Sequence, residues 1–310
     1  MDSVDVRIFC ELAFREQSYE TFHERHPSAA EIGKKIGLDE KTVRARISNM
    51  EESGFIKYYQ ASPALSLFGM SSVSLFRFEA LNLSTKYVVI NHLHDVPRLV
   101  ESSDYIGKNF TARIAGGTEE EARKVAEALA ARYELGTAHL GSVSLVESQA
   151  RLDRLDWQII KALRYDARSN NKDLAEALSV TQRMAGYRSS KLLKSGVVQT
   201  KAVIDPKRQA GLVFYELELL VDEQYRGGVS RWLRERFGQQ LWSLSSPAPS
   251  LLLASLFSFT LAEPEDGVIE ALRQSGVKRC LLLILKEVIE PKRPNWIDEL
   301  IDLRISSHRR

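Results

Sequence analysis

The chain has 310 residues, 44% hydrophobic and 27% charged, a globular composition that excludes a collagenous, mucin-like or largely disordered polypeptide. The longest apolar stretch, around Leu251 to Leu261, is broken by Ser255, Ser258 and Thr260, short of the roughly 18 residues of a membrane helix. With no signal peptide and only Cys10 and Cys280, the chain reads as reduced and cytoplasmic, without disulfides or a zinc centre. Net charge is +2, but residues 151–212 hold 13 Lys and Arg against 6 Asp and Glu, whereas residues 1–63 hold 9 against 11. A local cationic excess is what a surface facing a polyanion requires.

In chain order, apolar residues at helical spacing predict helices over 4–15, 29–36 and 40–53, the last capped by Asp39 and closed by Gly54. A strand over 55–61 follows. Alternation then predicts a strand around 73–78, a helix over 85–93, strands over 99–106 and 109–115, a helix over 118–133 and a strand over 137–147. The order repeats: helices over 155–165, 172–178 and 182–195, a strand over 197–204, and a second βαββαβ run with strands near 214–219, 240–245, 251–260 and 278–288 and helices over 226–237 and 263–274. A last amphipathic helix over 295–305 offers Trp296, Leu300, Ile301 and Leu303 for docking.

The two halves align. Ile8, Phe9 and Leu12 match Ile159, Ile160 and Leu163, and Ile32, Val43, Met50 and Gly54 match Leu174, Ala185, Leu192 and Gly196 at a constant shift of 142. An insertion over 17–28 in the first half, containing His23 and His26, absorbs the difference and reads as a solvated loop rather than a metal site. Each half opens as a helix-turn-helix with an attached strand, and each βαββαβ run suggests an antiparallel sheet with two helices on one face.

Residues 152–211 resemble the DNA-binding domain of the Lrp/AsnC transcription factors. The match rests on Leu155-Asp156 with Ile159 and Leu163, on Leu174-Ala175, and on Gly196-Val197-Val198 running into Val203-Ile204-Asp205-Pro206. The first half resembles a divergent copy. The resemblance implies an α+β chain of two winged helix-turn-helix domains (1–63 and 151–211) alternating with two ferredoxin-like domains (64–150 and 212–310), in tandem duplication. It further implies double-stranded DNA as partner, a homodimer or higher homo-oligomer, nucleoid association and no membrane. Small ligands bind in the family beside a Gly-x-x-Asp hairpin, which here resembles Gly107 to Asn109, so Gly107 and Asn109 are the expected contacts for an effector such as an amino acid. The second half replaces that hairpin by Ser245 to Ser250.

A helix-turn-helix lays its third helix in the major groove. With Ala185, Ser189 and Leu192 buried, the expected DNA-facing residues are Gln182, Arg183, Gly186, Tyr187, Ser190 and Lys191, with Arg188 and Lys194 at the edges and Lys201 in the wider basic set. Gly186 costs about 1 kcal/mol of helix propensity, which close approach to a partner backbone would offset; a plain surface glycine is the other reading. The first copy offers Lys41, Thr42, Arg44 and Ser48, but Glu40, Glu51 and Glu52 border them, so base reading competes there with a structural role. No catalytic group, cofactor or metal is expected: the histidines form no triad, and Gly116-Gly117-Thr118 lacks the P-loop spacing. The leading reading is a sequence-specific regulator and not an enzyme. The alternatives are a tetrapyrrole enzyme like the siroheme decarboxylases, which pair Lrp-like halves, and a non-specific architectural DNA-binding protein.

Overall fold

A computed structural model describes residues 2–13, 27–208 and 211–307. The first half runs α1 (Ser3–Ala13), α2 (Ala29–Ile36), α3 (Glu40–Glu52), β1 (Ile56–Pro63), β2 (Ser72–Glu79), α4 (Leu83–His92), β3 (Leu99–Tyr105), β4 (Asn109–Gly116), α5 (Glu119–Tyr133) and β5 (Gly136–Ser144). The second runs α6 (Arg154–Leu163), α7 (Asn171–Leu178), α8 (Gln182–Lys194), β6 (Val198–Ile204), β7 (Val213–Val221), α9 (Arg226–Phe237), β8 (Leu241–Ala248), β9 (Leu251–Ser258), α10 (Ala262–Leu272), β10 (Val277–Ile289) and α11 (Trp296–Ser307). Helix starts follow their caps: Asp39 accepts from the Thr42 N–H, Asn170 from Lys172 and Asp173, and Thr181 from Met184. Most of the insertion, with His23 and His26, lies outside the described residues.

The fold is α+β. β1 and β6 form a two-stranded ribbon, and the other eight strands form one antiparallel sheet in the order β5-β2-β4-β3-β10-β7-β9-β8. The halves join where β3 pairs with β10, Tyr105 opposite Leu285. Helices cover the outer face, with Phe76, Phe78, Phe110 and Ile114 under α5 and Leu217, Leu219 and Leu252 packed with Leu233 of α9. The inner face is concave, and the sheet curls until its two edges approach. A Cβ at Gly141 of β5, where φ is +137°, would fall 2.1 Å from the Pro247 carbonyl oxygen of β8, so only glycine fits there.

In the ribbon, Tyr58 pairs with Val203 and Ala61 with Thr200. Shifting each member by the 142 residues that align the halves turns the first pair into the second, so the ribbon has a local dyad at its middle. The winged helices cross over as they pack. The core of α1 to α3, with Phe9, Ile32, Val43 and Ile47, includes Leu212, Phe214 and Phe257 from the second half. Phe9, Phe55 and Phe214 make a three-ring cluster with centroids 5.3 to 6.2 Å apart. The core of α6 to α8 takes in Ala61, Leu65, Leu67 and Phe68 from the first half and Ile297, Ile301 and Ile305 of α11.

Two expectations change. α11 docks through Trp296 and Ile301, as expected, with Ile297 and Ile305 beside them, but Leu303 is exposed. The strand expected over 240–245 continues as β8 to Ala248. β8 is an edge strand with a register break between Ser245 and Ala248, the setting in which a proline without an N–H fits a sheet.

Candidate nucleic-acid interface and central cavity

α8 buries Ala185, Ser189 and Leu192 against α6 and α7, which turns the opposite ridge outward. Gln182, Arg183, Tyr187, Ser190, Lys191 and Lys194 are exposed, Tyr187 by 68%. No carboxylate among the described residues pairs with Arg183, Lys191 or Lys194. An exposed helix carrying cations, amides, hydroxyls and one aromatic ring has the chemistry for phosphate and base-edge contacts.

Three expected DNA contacts are placed differently. The Arg188 Nη1 donates to Asp153 at 2.6 Å and to Asp156 at 2.9 Å, which ties α8 to the capping box of α6. Asp153 is held below the usual carboxylate range: burial opposes this, but the Asp156 N–H and Arg188 outweigh it. The same clamp recurs at matching positions in the first half, where Arg46 meets Asp2 at 2.9 Å and Asp5 at 2.7 Å. Gly186 is half-buried under α7: a Cβ there would meet the Asn171 side-chain nitrogen at 2.8 Å, so its close approach is to the chain's own helix. Lys201 leaves the DNA face and turns toward Glu101, 2.8 Å away. In the first copy, Lys41 is exposed. Its neighbours are engaged: Arg44 pairs with Glu40 at 2.5 Å, Ser48 donates to Glu52 at 3.0 Å, and Thr42 donates to Asp39 at 2.6 Å.

Gly107 and Asn109 sit at the β3–β4 turn, where Gly107 has φ +89°. Neither lines the cavity described next. The turn is tied from within. Lys86 of α4 is buried, donates to the Tyr105 and Gly107 carbonyls, the latter at 2.7 Å, and meets Asp104 at 2.5 Å. Lys286 reaches the same carboxylate at 3.0 Å.

A cavity of about 300 Å³ lies between the ribbon and the inner face of the sheet, within the size range of small-molecule sites. Its walls are largely apolar, with Val73, Val146, Val203 and Leu285 beside Trp242 and Tyr105. Five of its lining residues carry charge: Glu101, Arg113, Lys201, Glu216 and Glu290. Glu101 is bridged by Arg113 at 2.5 Å and Lys201 at 2.8 Å. Burial would raise its pKa, but these two cations outweigh burial and bring it down to about 2. Glu216 accepts from the Tyr105 hydroxyl at 3.3 Å. Burial dominates there and, with the Glu218 charge, lifts Glu216 to about 7 against the opposing pull of Arg113.

A stability profile follows from that shift. A carboxyl whose folded pKa lies above its unfolded value stabilises the fold below about pH 4.5 and loses that contribution as pH rises through about 7. Replacing Glu216 with glutamine removes the penalty, of order 3 kcal/mol at most. The melting temperature of Glu216→Gln relative to the parent is expected to rise by a few degrees between pH 5 and pH 8 in thermal denaturation. A difference that does not change with pH contradicts the placement of Glu216.

Residues 25–57 and 152–199 match the family model for winged helix-turn-helix DNA-binding domains. Over its whole length the chain is similar to the siroheme decarboxylase NirDL, at 16% identity with 99% of both chains covered and a TM-score of 0.56. A second structure of that enzyme, with an iron-uroporphyrin III analogue, gives 15% identity, 99% of both chains and a TM-score of 0.54. E. coli AsnC is matched over 44% of this chain and 92% of its own, at 15% identity and a TM-score of 0.36. No curated protein matches the sequence. The full-length likeness shows a fold in which winged helices flank a shared antiparallel sheet. It also corrects the reading of the chain as not an enzyme, because the structures matched from end to end are those of an enzyme. No helix among the described residues is long and apolar enough to cross a membrane.

Proposed function

We propose that the chain is a sequence-specific, DNA-binding transcription regulator built from two divergent copies of an Lrp/AsnC-like unit, with α8 as its main DNA reader. The carrying observation is the ridge of α8, where Arg183, Lys191 and Lys194 stand exposed beside Gln182, Tyr187 and Ser190, in the segment with the cationic excess. The repeated Arg–Asp clamp and the dyad of the β1–β6 ribbon support the duplication, with unit boundaries near residues 63, 150 and 211. Exposed Leu81, Leu83, Tyr87, Val88 and Ile106 around the β3–β4 turn support assembly into a homo-oligomer.

Fluorescence anisotropy of the full chain on the duplex upstream of its own coding sequence and on a scrambled duplex, at several salt concentrations, tests this reading. Tight, salt-dependent binding that prefers the upstream duplex supports it. Equal affinity for both duplexes replaces it with an architectural role.

A second reading, an enzyme acting on a tetrapyrrole, is favoured by the end-to-end likeness to NirDL and by the central cavity. A shifted, saturable absorbance band on adding siroheme supports it, and an unchanged spectrum removes it.

A further inference from the structure

The dyad of the β1–β6 ribbon relates two strands that each follow directly from a third helix, β1 from α3 through Gly54 and β6 from α8 through Gly196. α3 and α8 are thereby the paired heads of one dimer-like unit. In a symmetric helix-turn-helix dimer both heads read, and the preferred duplex is an inverted repeat with half-sites about one helical turn apart. Here the heads differ at the positions that face outward. At the shift of 142 residues, Glu40 stands where α8 has Gln182, and Lys41 where it has Arg183. Ala45 replaces Tyr187, Asn49 replaces Lys191 and Glu52 replaces Lys194. Every one of these side chains, on both helices, is exposed.

Each difference removes reading chemistry from α3. An amide that can pair with adenine gives way to a carboxylate that repels phosphate, and a second carboxylate takes the place of a lysine. Lys41 keeps the charge of Arg183 without the planar fork that matches a guanine edge. Over these positions α8 carries Arg183, Lys191 and Lys194 with no acid, whereas α3 carries Lys41 against Glu40 and Glu52. Arg44, at the position of Gly186, is turned to Glu40 at 2.5 Å. What the heads share is internal: the clamp of Arg46 on Asp2 and Asp5 repeats that of Arg188 on Asp153 and Asp156, and Val43 and Met50 are buried as Ala185 and Leu192 are. α3 is a head that folds like a reader and presents a surface that does not read. We propose that one chain reads one half-site, so that its preferred duplex is a single block of specified base pairs met by α8, with the base pairs on the α3 side of the dyad left unread. This inference rests on the reading of α8 as the DNA-facing helix.

The test is selection by the full chain from a pool of duplexes carrying about two helical turns of randomised sequence, followed by anisotropy on the selected duplex. The enriched sequences are expected to share one block and to lack an inverted copy of it about 10 base pairs away. Exchanging a base pair inside the block is expected to weaken binding about tenfold, and exchanging base pairs one turn to either side by less than about twofold. Arg183→Ala, an exposed change, is expected to erase the block from a repeated selection. Two equal inverted arms one helical turn apart overturn the proposal, as does a block that survives in Arg183→Ala. Those results leave the DNA-binding reading standing. Salt-dependent binding without any enriched sequence, or no binding at all, overturns instead the sequence-specific regulator and this inference with it, so the two failures are told apart.

Discussion

Arg164→Met is expected to destabilise the chain by about 3–5 kcal/mol, the usual cost of leaving one member of a buried ion pair without its partner. Arg164 lies at the end of α6 and is 1% exposed. Its Nε donates to Asp298 at 2.9 Å and its Nη1 to the Ala61 carbonyl at 2.9 Å. One side chain thus joins the second winged helix to the ribbon strand of the first half and to α11. Tyr165 also donates to Asp298, and the Asn295 N–H does so at 2.9 Å. Asp298 is held below the usual carboxylate range although burial works the other way, because the Tyr165 and Arg164 contacts outweigh it. Methionine fills the space of the arginine stem but leaves that carboxylate without its cation. Urea denaturation followed by circular dichroism reads the loss. Adding Asp298→Leu is expected to restore much of it, since a buried pair replaced by apolar groups is often close to neutral. A loss below about 1 kcal/mol for the single variant contradicts this description of the junction.

The second large effect is on DNA. Replacing Arg183, Lys191 and Lys194 together with alanine is expected to weaken binding to every duplex by about a hundredfold or more at low salt. The same change flattens the dependence of log K on log salt by two to three units, about 0.9 for each phosphate no longer neutralised. Arg183→Ala alone is expected to reduce discrimination between preferred and scrambled duplex by roughly tenfold, as removing a base-edge hydrogen bond does. Arg188→Ala and Lys201→Ala make the contrast. Their cations are committed to Asp153 and Asp156, and to Glu101, so the salt slope is expected to stay unchanged while Arg188→Ala lowers the melting temperature. A salt slope that falls in Lys201→Ala but not in the triple variant contradicts the account.

The helix-turn-helix segments were legible because their signals are local. Ala185 and Leu192 recur at helical spacing, and Asp39 and Thr181 stand where a cap must. The fate of Arg188 was not, since a lone arginine on a basic helix looks the same whether it meets phosphate or a carboxylate more than thirty residues earlier. The one signal was the recurrence of Arg46 with Asp2 and Asp5 at matching positions. Gly186 was open for a similar reason: its close neighbour, Asn171, belongs to another helix. The cavity was the least visible feature. In β7, Glu216 and Glu218 alternate with Leu217 and Leu219, a pattern that reads as a sheet with one face in water. Alternation says which residues share a face but not what that face meets, and here it meets the ribbon and the other half of a curled sheet. The crossed packing of each winged helix on the opposite half was hidden for the same reason. Phe214 and Phe257 look like ordinary core residues of their own sheet until Phe9 and Phe55 are placed against them.

The central claim is that α8 is the surface that meets DNA. A photo-activatable benzoylphenylalanine at position 187, on the exposed ridge of α8, tests it most directly when the full chain is irradiated on a labelled duplex beside a control chain carrying the same group at Tyr225, an exposed residue on the outer face of the second half. The account predicts an efficient cross-link from position 187, abolished at high salt, and none from position 225. Equal cross-linking from both positions, or none from 187 under conditions where anisotropy shows binding, contradicts it.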